Sequence, residues 1–232
     1  MYAPENTLAA FRLAVEQGAD GIELDVKLSR DGEVVVFHDQ MTQRITGETG
    51  RVNQLTLTEL KRLSAGAFFA DSFRKEKIPT LKEVFETVGD NVFLFIELTN
   101  YLSWSDGLVE KTAALVKEHH LEHRAVFISF LPWNISRLKK LLPNVPFGLL
   151  MLQGIAGNCA RSNTFRRFSP NCILPKYLDV TPKLIHEEHN QGRQVITWTV
   201  NDRELMIKFM RMGINGLITN DPPTALQLRE QL

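Results

Sequence analysis

Residues 172–220 read CILPKYLDVTPKLIHEEHNQGRQVITWTVNDRELMIKFMRMGINGLITN. Three short apolar runs punctuate this stretch: CILPK (Cys172–Lys176), QVITWTV (Gln194–Val200) and GLITN (Gly216–Asn220). The segments between them are amphipathic and carry helix punctuation. Thr181-Pro182 places an N-cap before an N1 proline, as Asp221-Pro222 does after the third run, while Gly192 and Gly213 close the two intervening helices. An apolar run, a capped helix and another apolar run make a β/α unit, here in tandem.

Working towards the N-terminus, the same alternation continues. FGLLML (Phe147–Leu152), AVFISF (Ala125–Phe130), VFLFIEL (Val92–Leu98) and GIELDVKL (Gly21–Leu28) are further strand candidates. From Ala125 onward the starts recur every 22 to 25 residues. Continuously apolar strands are buried on both faces, as in a parallel sheet. A doubly wound sheet tolerates the same pitch, but even spacing favours a closed (β/α)8 barrel of the TIM type, for which 232 residues is a suitable single domain. Leu8, Phe11 and Val15 give the first helix its inward stripe. Thr80 and Glu83 form a capping-box pattern, and Gly89 stands where a C′ glycine belongs.

Between Leu28 and Val92 lie too many residues for a loop and one helix. The segment holds a hairpin partner (Glu33–Phe37), the turn-rich ITGETGRVNQ, a short helix near Leu57–Leu63 and the helix capped by Thr80. It reads as a small insertion after the second barrel strand. Seven strands are counted. A seven-membered parallel barrel leaves two unpaired edges, so the first barrel strand is expected upstream of Met1, missing from this chain.

Composition is that of an ordinary globular enzyme, with 44% hydrophobic and 23% charged residues. A formal net charge of zero gives no reason to expect nucleic acid or an anionic membrane surface as partner. No apolar run approaches the ~20 residues that span a bilayer. MYAPENT lacks the basic and apolar regions of a signal peptide, so the expected location is the cytoplasm. Cys159 and Cys172 are expected to be buried free thiols. Asn134-Ile-Ser136 matches a glycosylation sequon, read as chance.

Glu23 and Asp25 lie two apart in one strand, so both side chains leave the same face. At ~7 Å and an effective dielectric near 20 they repel by roughly 2 kcal/mol, and a cation between them reverses the sign. Glu97 ends the apolar run VFLFIE and should face a polar pocket or a metal. Three oxygen ligands without cysteine or clustered histidine suit one hard divalent cation, Mg2+ or Ca2+. Salt bridges with arginines at the barrel mouth account for the same residues equally well. His38 ends VVVFHD and is a candidate for acid–base work, although a lone histidine is more often structural. Trp198 and Asn201, in TWTVND, are expected to line the pocket, with Trp198 alternatively in the core. His119, His120, His123, His186 and His189 are assigned to the outer surface.

APENTLAAF, GADGIELDV, DGEVVVFHD, IPTLKEV, FIEL, SF, WTVN and GINGLITNDPP, in this order and spacing, resemble the glycerophosphodiester phosphodiesterase family over essentially the whole chain. The resemblance implies a metal-dependent (β/α)8 barrel that hydrolyses small glycerophosphodiesters to glycerol 3-phosphate and an alcohol. It implies that Glu23, Asp25 and Glu97 bind the cation and that His38 is one of two acid/base histidines. Glu5, in Pro-Glu-Asn-Thr, becomes a further polar member of the site.

Two departures stand out. The family's other histidine belongs to a His-Arg-Gly motif that these 232 residues do not contain. The family also often carries a lysine two positions after the metal-binding glutamate, where this sequence has Thr99; Asn100 or Lys176 is the expected substitute. A binding module that has lost turnover, and a phospholipase D-like enzyme on the same fold, are the alternatives.

Overall fold

The computed structural model describes residues 2–101, 105–154, 168 and 170–232. Cys159 lies outside them; Cys172 is a buried free thiol. The strands are β1 (Gly21–Leu28), β2 (Val34–Val36), β3 (Phe93–Leu98), β4 (Ala125–Ser129), β5 (Phe147–Met151), β6 (Cys172–Pro175), β7 (Gln194–Thr197) and β8 (Gly216–Leu217). The helices are α1 (Leu8–Glu16), α2 (Gln43–Thr46), α3 (Leu57–Arg62), α4 (Leu81–Val88), α5 (Leu108–Glu118), α6 (Pro132–Leu141), α7 (Pro182–His189), α8 (Arg203–Arg211) and α9 (Pro222–Gln231).

All strands belong to one sheet in the order β2-β1-β3-β4-β5-β6-β7-β8. Every neighbouring pair is parallel except the β1–β2 hairpin. The run of parallel neighbours in chain order is the barrel-type winding expected from the even spacing. Among the described residues β8 pairs with β7 alone, and the Gly21–Asp25 half of β1 pairs with β3 alone.

The two faces of the sheet are buried differently. Leu24, Val26, Leu94, Ile96, Phe127 and Phe147 pack with Phe11, Val84, Phe85, Val109 and Leu138 from the helices. The opposite face carries Ile128, Leu150, Cys172, Leu174 and Ile196, with Phe95, Val126 and Trp198 against them. No residue of this second cluster comes from a helix, so it is the lumen, where strands face one another. Gly148 belongs to it: a Cβ there would lie 2.5 Å from Leu174 and 2.8 Å from the Cys172 sulfur.

Residues 34–78 add a separate small core of Val35, Phe37, Ile45, Val52, Leu60, Leu63, Ala65 and Ile78. Thr56 and Thr80 each cap a helix with both arms of a capping box, through Glu59 and Glu83. Thr181 and Asp221 accept from the backbone N–H groups of Leu184 and Thr224, as their prolines suggested.

Three expectations are corrected. QVITWTV is continuous strand only as far as Thr197; Trp198 adds an isolated parallel bridge to Lys176, and its indole donates to the Leu174 carbonyl at 2.7 Å. GLITN keeps two residues as strand; Ile218 still donates to the Thr197 carbonyl, and the Asn220 N–H turns to the Asn201 side chain. Gly89 is right-handed (φ −54°); glycine is needed there because a Cβ would lie 2.7 Å from the Phe85 carbonyl oxygen. Gly192 (φ 71°) and Gly213 (φ 78°) do adopt the left-handed closure. Among the described residues no helix is long and apolar enough to cross a membrane.

Candidate active site

The β1–β3 register sets Glu23 beside Phe95 and Asp25 beside Glu97. Because Phe95 faces the lumen, period two sends Glu97 to the same side, with Glu23 and Asp25 across from it. One oxygen from each of Glu23, Asp25 and Glu97 lies within 4.8 Å of the others. Asp25 is 4% exposed and the two glutamates are half-buried. Burial, then Asp25 and Glu97, pushes the Glu23 carboxyl well above the usual range. Burial, then Asp25, raises Glu97 to about 7.

Among the described residues none of the three forms an ion pair, so the salt-bridge reading fails. Arg44, which follows β2 on the same hairpin arm as His38, pairs instead with Glu5 and Asp39. Three converging carboxylates, with only oxygen donors and outside any ion pair among the described residues, fit a hard divalent cation.

Side chains that the sequence does not single out complete the centre. Asn6 clamps Asp25 twice: its amide donates to Asp25 Oδ2 at 2.9 Å, and its carbonyl accepts from the Asp25 N–H at 3.3 Å. Asn6 holds a left-handed φ of 53°, which asparagine tolerates better than most residues. Tyr101 donates from its hydroxyl to Glu97 Oε1. Its ring meets Phe130 at 6.0 Å, and Phe130 meets Trp198 at 5.8 Å, an aromatic arc beside the carboxylates. Lys27 is 5% exposed and donates to Thr99 Oγ1 at 2.6 Å. Burial lowers its pKa, while Asp25, Glu97 and Asp39 pull it back up.

His38 follows β2, where the Phe37 N–H donates to the Asp25 carbonyl at 2.9 Å and so ties that end to β1. Its side chain is 62% exposed, and Nδ1 lies 2.7 Å from Asp39 Oδ1. Burial alone would lower its pKa; Asp25 and the Asp39 hydrogen bond outweigh that and hold it above the usual value. Asp39 accepts from Arg44, which holds its carboxyl down at about 2, and Arg44 grips both Glu5 oxygens at 2.9 and 2.6 Å.

Other expected residues have these partners. Glu5 is bonded to Arg44 and adds to the charge that raises the His38 pKa, and the member of Pro-Glu-Asn-Thr that touches the carboxylates directly is Asn6. Asn201 spends its carbonyl on Thr219 and the Asn220 N–H, joining two loops. Lys176 follows β6, three strands from β3 in the sheet order, and Asn100 accepts from the buried Asn134. Asn134 is fully buried, which closes the sequon to a glycan. His119 is half-buried against Phe85, while the other four helix histidines are exposed.

Fold and site together define a class: (β/α)-barrel enzymes that work around a cation-accepting acidic centre at the carboxyl ends of parallel strands. The model of the glycerophosphoryl diester phosphodiesterase family matches residues 1–224. The chain is 39% identical to a glycerophosphodiester phosphodiesterase of Caldanaerobacter subterraneus subsp. tengcongensis, covering 97% of this chain and 92% of that protein. It superposes on a glycerophosphodiester phosphodiesterase of Thermotoga maritima with a TM-score of 0.75, at 30% identity over 97% and 92% of the two chains. An Oleispira antarctica phosphodiesterase in complex with sn-glycerol-3-phosphate gives 0.85, at 28% identity over 98% and 92%. The chain belongs to the glycerophosphoryl diester phosphodiesterase family.

Proposed function

We propose that the protein hydrolyses small glycerophosphodiesters to glycerol 3-phosphate and an alcohol. The observation that carries this is the convergence of the Glu23, Asp25 and Glu97 oxygens, none of them in an ion pair among the described residues, at the carboxyl ends of β1 and β3. The similar phosphodiesterase whose structure is in complex with the product sn-glycerol-3-phosphate supports the same product here.

A divalent cation, Mg2+ or Ca2+, held by these three carboxylates would supply positive charge against the phosphate. Around it the protein's own groups set the geometry. Asn6 fixes the Asp25 carboxylate through two hydrogen bonds. Asp39 accepts from His38 Nδ1, which leaves Nε2 as the working atom. In the reaction a bond forms from a water oxygen to phosphorus and the bond from phosphorus to the alcohol oxygen breaks. His38 gives the proton that the departing alkoxide needs, since its raised pKa favours the protonated ring. Accepting the proton from water falls, by the resemblance, to the histidine of the His-Arg-Gly motif. The sides of β8 and the first half of β1 that are unpaired among the described residues support a barrel closed by one further parallel strand between them, with the stretch between Leu28 and Val92 as an insertion on it.

Cation binding tests this reading. Wild type should bind Mg2+ or Ca2+ with a rise in thermal stability. Asp25→Asn should lose both that rise and turnover of glycerophosphocholine. Turnover retained by Asp25→Asn would overturn it.

A further inference from the structure

Lys27 is the only lysine or arginine buried among the described residues. It continues the period-two series Glu23, Asp25, Lys27 on the lumen face of β1. With Asp25 beside Glu97, Lys27 stands beside Thr99, about 7 Å further towards the strand ends, the side from which barrel enzymes take substrate.

The contacts of Lys27 are unusual for a buried charge. Its Nζ donates to Thr99 Oγ1 at 2.6 Å. That hydroxyl itself donates to the Val26 carbonyl at 2.7 Å, which fixes its lone pair towards the ammonium. An ammonium has three N–H donors, and among the described residues Lys27 uses one, with no ion pair. A lysine kept only to offset the carboxylates should bond to one of them. This one is seated on a neutral hydroxyl a rung above them, with donors to spare for an anion.

We propose that Lys27 pairs with the phosphate of the bound glycerophosphodiester, opposite the carboxylates, with Thr99 as its seat. This rests on the function proposed above. The uncharged Thr99 is then the support of the cation rather than a gap in the site, and two neighbouring strands share one phosphate-binding position.

The test is a calorimetric titration with sn-glycerol 3-phosphate, beside steady-state kinetics on glycerophosphocholine, both in Mg2+. Lys27→Met should weaken binding and raise KM by about tenfold or more, the loss of a charge-assisted bond. The double variant Lys27→Met/Thr99→Lys returns the ammonium from the other strand and should recover most of the affinity, which a structural role for Lys27 does not predict. Unchanged affinity in Lys27→Met, or no recovery in a folded double variant, would overturn the assignment. Should Lys27→Met fail to fold, Thr99→Val keeps the ammonium without its seat; weaker binding supports the pairing and wild-type binding refutes it. Wild type that binds glycerol 3-phosphate without hydrolysing the diester would refute the function and leave Lys27 to be decided by binding. Hydrolysis with affinity unmoved in Lys27→Met would refute Lys27 alone.

Discussion

At the scale of single residues, the site depends on partners that hold other side chains in place. Asn6→Ala removes both bonds to Asp25, and second contacts of this kind are worth about 10–100-fold in metal affinity or activity. Cation affinity measured by titration should fall by that order while the unfolding temperature moves little. His38→Ala should cut turnover by roughly 10²–10⁴ with the fold intact. Asp39 stabilises the imidazolium by hydrogen bond and by charge, so Asp39→Asn lowers the His38 pKa. If protonated His38 is the working form, the alkaline limb of the kcat/KM profile then moves to lower pH. A limb that stays put would remove the Asp39–His38 pair from proton transfer. Glu23, Asp25 and Glu97 were legible because period two fixes their face, and a charge after VFLFI is costly unless a polar pocket or a metal receives it. The same period reaches Lys27, but a lysine in a strand carries no signal until its hydroxyl partner on β3 is seen. Asn6 was hidden for another reason: only its left-handed turn aims the amide at Asp25, and Glu5 looked the more chemical residue.

At the scale of elements, caps were readable and packing was not. Thr80 is seen in sequence and in structure, with both arms of its capping box made. Thr80→Ala should cost about 1 kcal/mol in denaturant unfolding. Gly148 is the opposite case, an unremarkable glycine in FGLLM whose need for no side chain appears only across the lumen. Gly148→Ala must displace Leu174, Cys172 and Ile128, and should cost about 1–3 kcal/mol. A stability within error of wild type would mean the lumen is looser than these contacts. β7 and β8 are shorter than their apolar runs for the same reason. Apolar letters continue past Thr197 and Leu217, but there the regular ladder gives way to an isolated Trp198–Lys176 bridge and to side-chain bonds from the Trp198 indole and to the Asn201 carbonyl.

At the scale of the whole molecule, the tandem spacing of short apolar runs was enough for the winding of the parallel sheet, because each run must be buried on both faces. The acid response of the molecule follows from its ion pairs. Asp39, at about 2, lies below its ordinary range, so the stability it contributes is present above pH ~4 and is lost as pH falls through about 2. The link from Glu5, in the turn before α1, through Arg44 to Asp39 should therefore loosen in that window, seen as falling thermal stability. The most direct measurement is product analysis: the protein is incubated with glycerophosphocholine and Mg2+ or Ca2+, with and without excess EDTA. Glycerol 3-phosphate and choline should appear in equal amounts and vanish with the chelator. Release of phosphocholine in place of glycerol 3-phosphate, or turnover indifferent to EDTA, would contradict a cation-dependent glycerophosphodiester hydrolase.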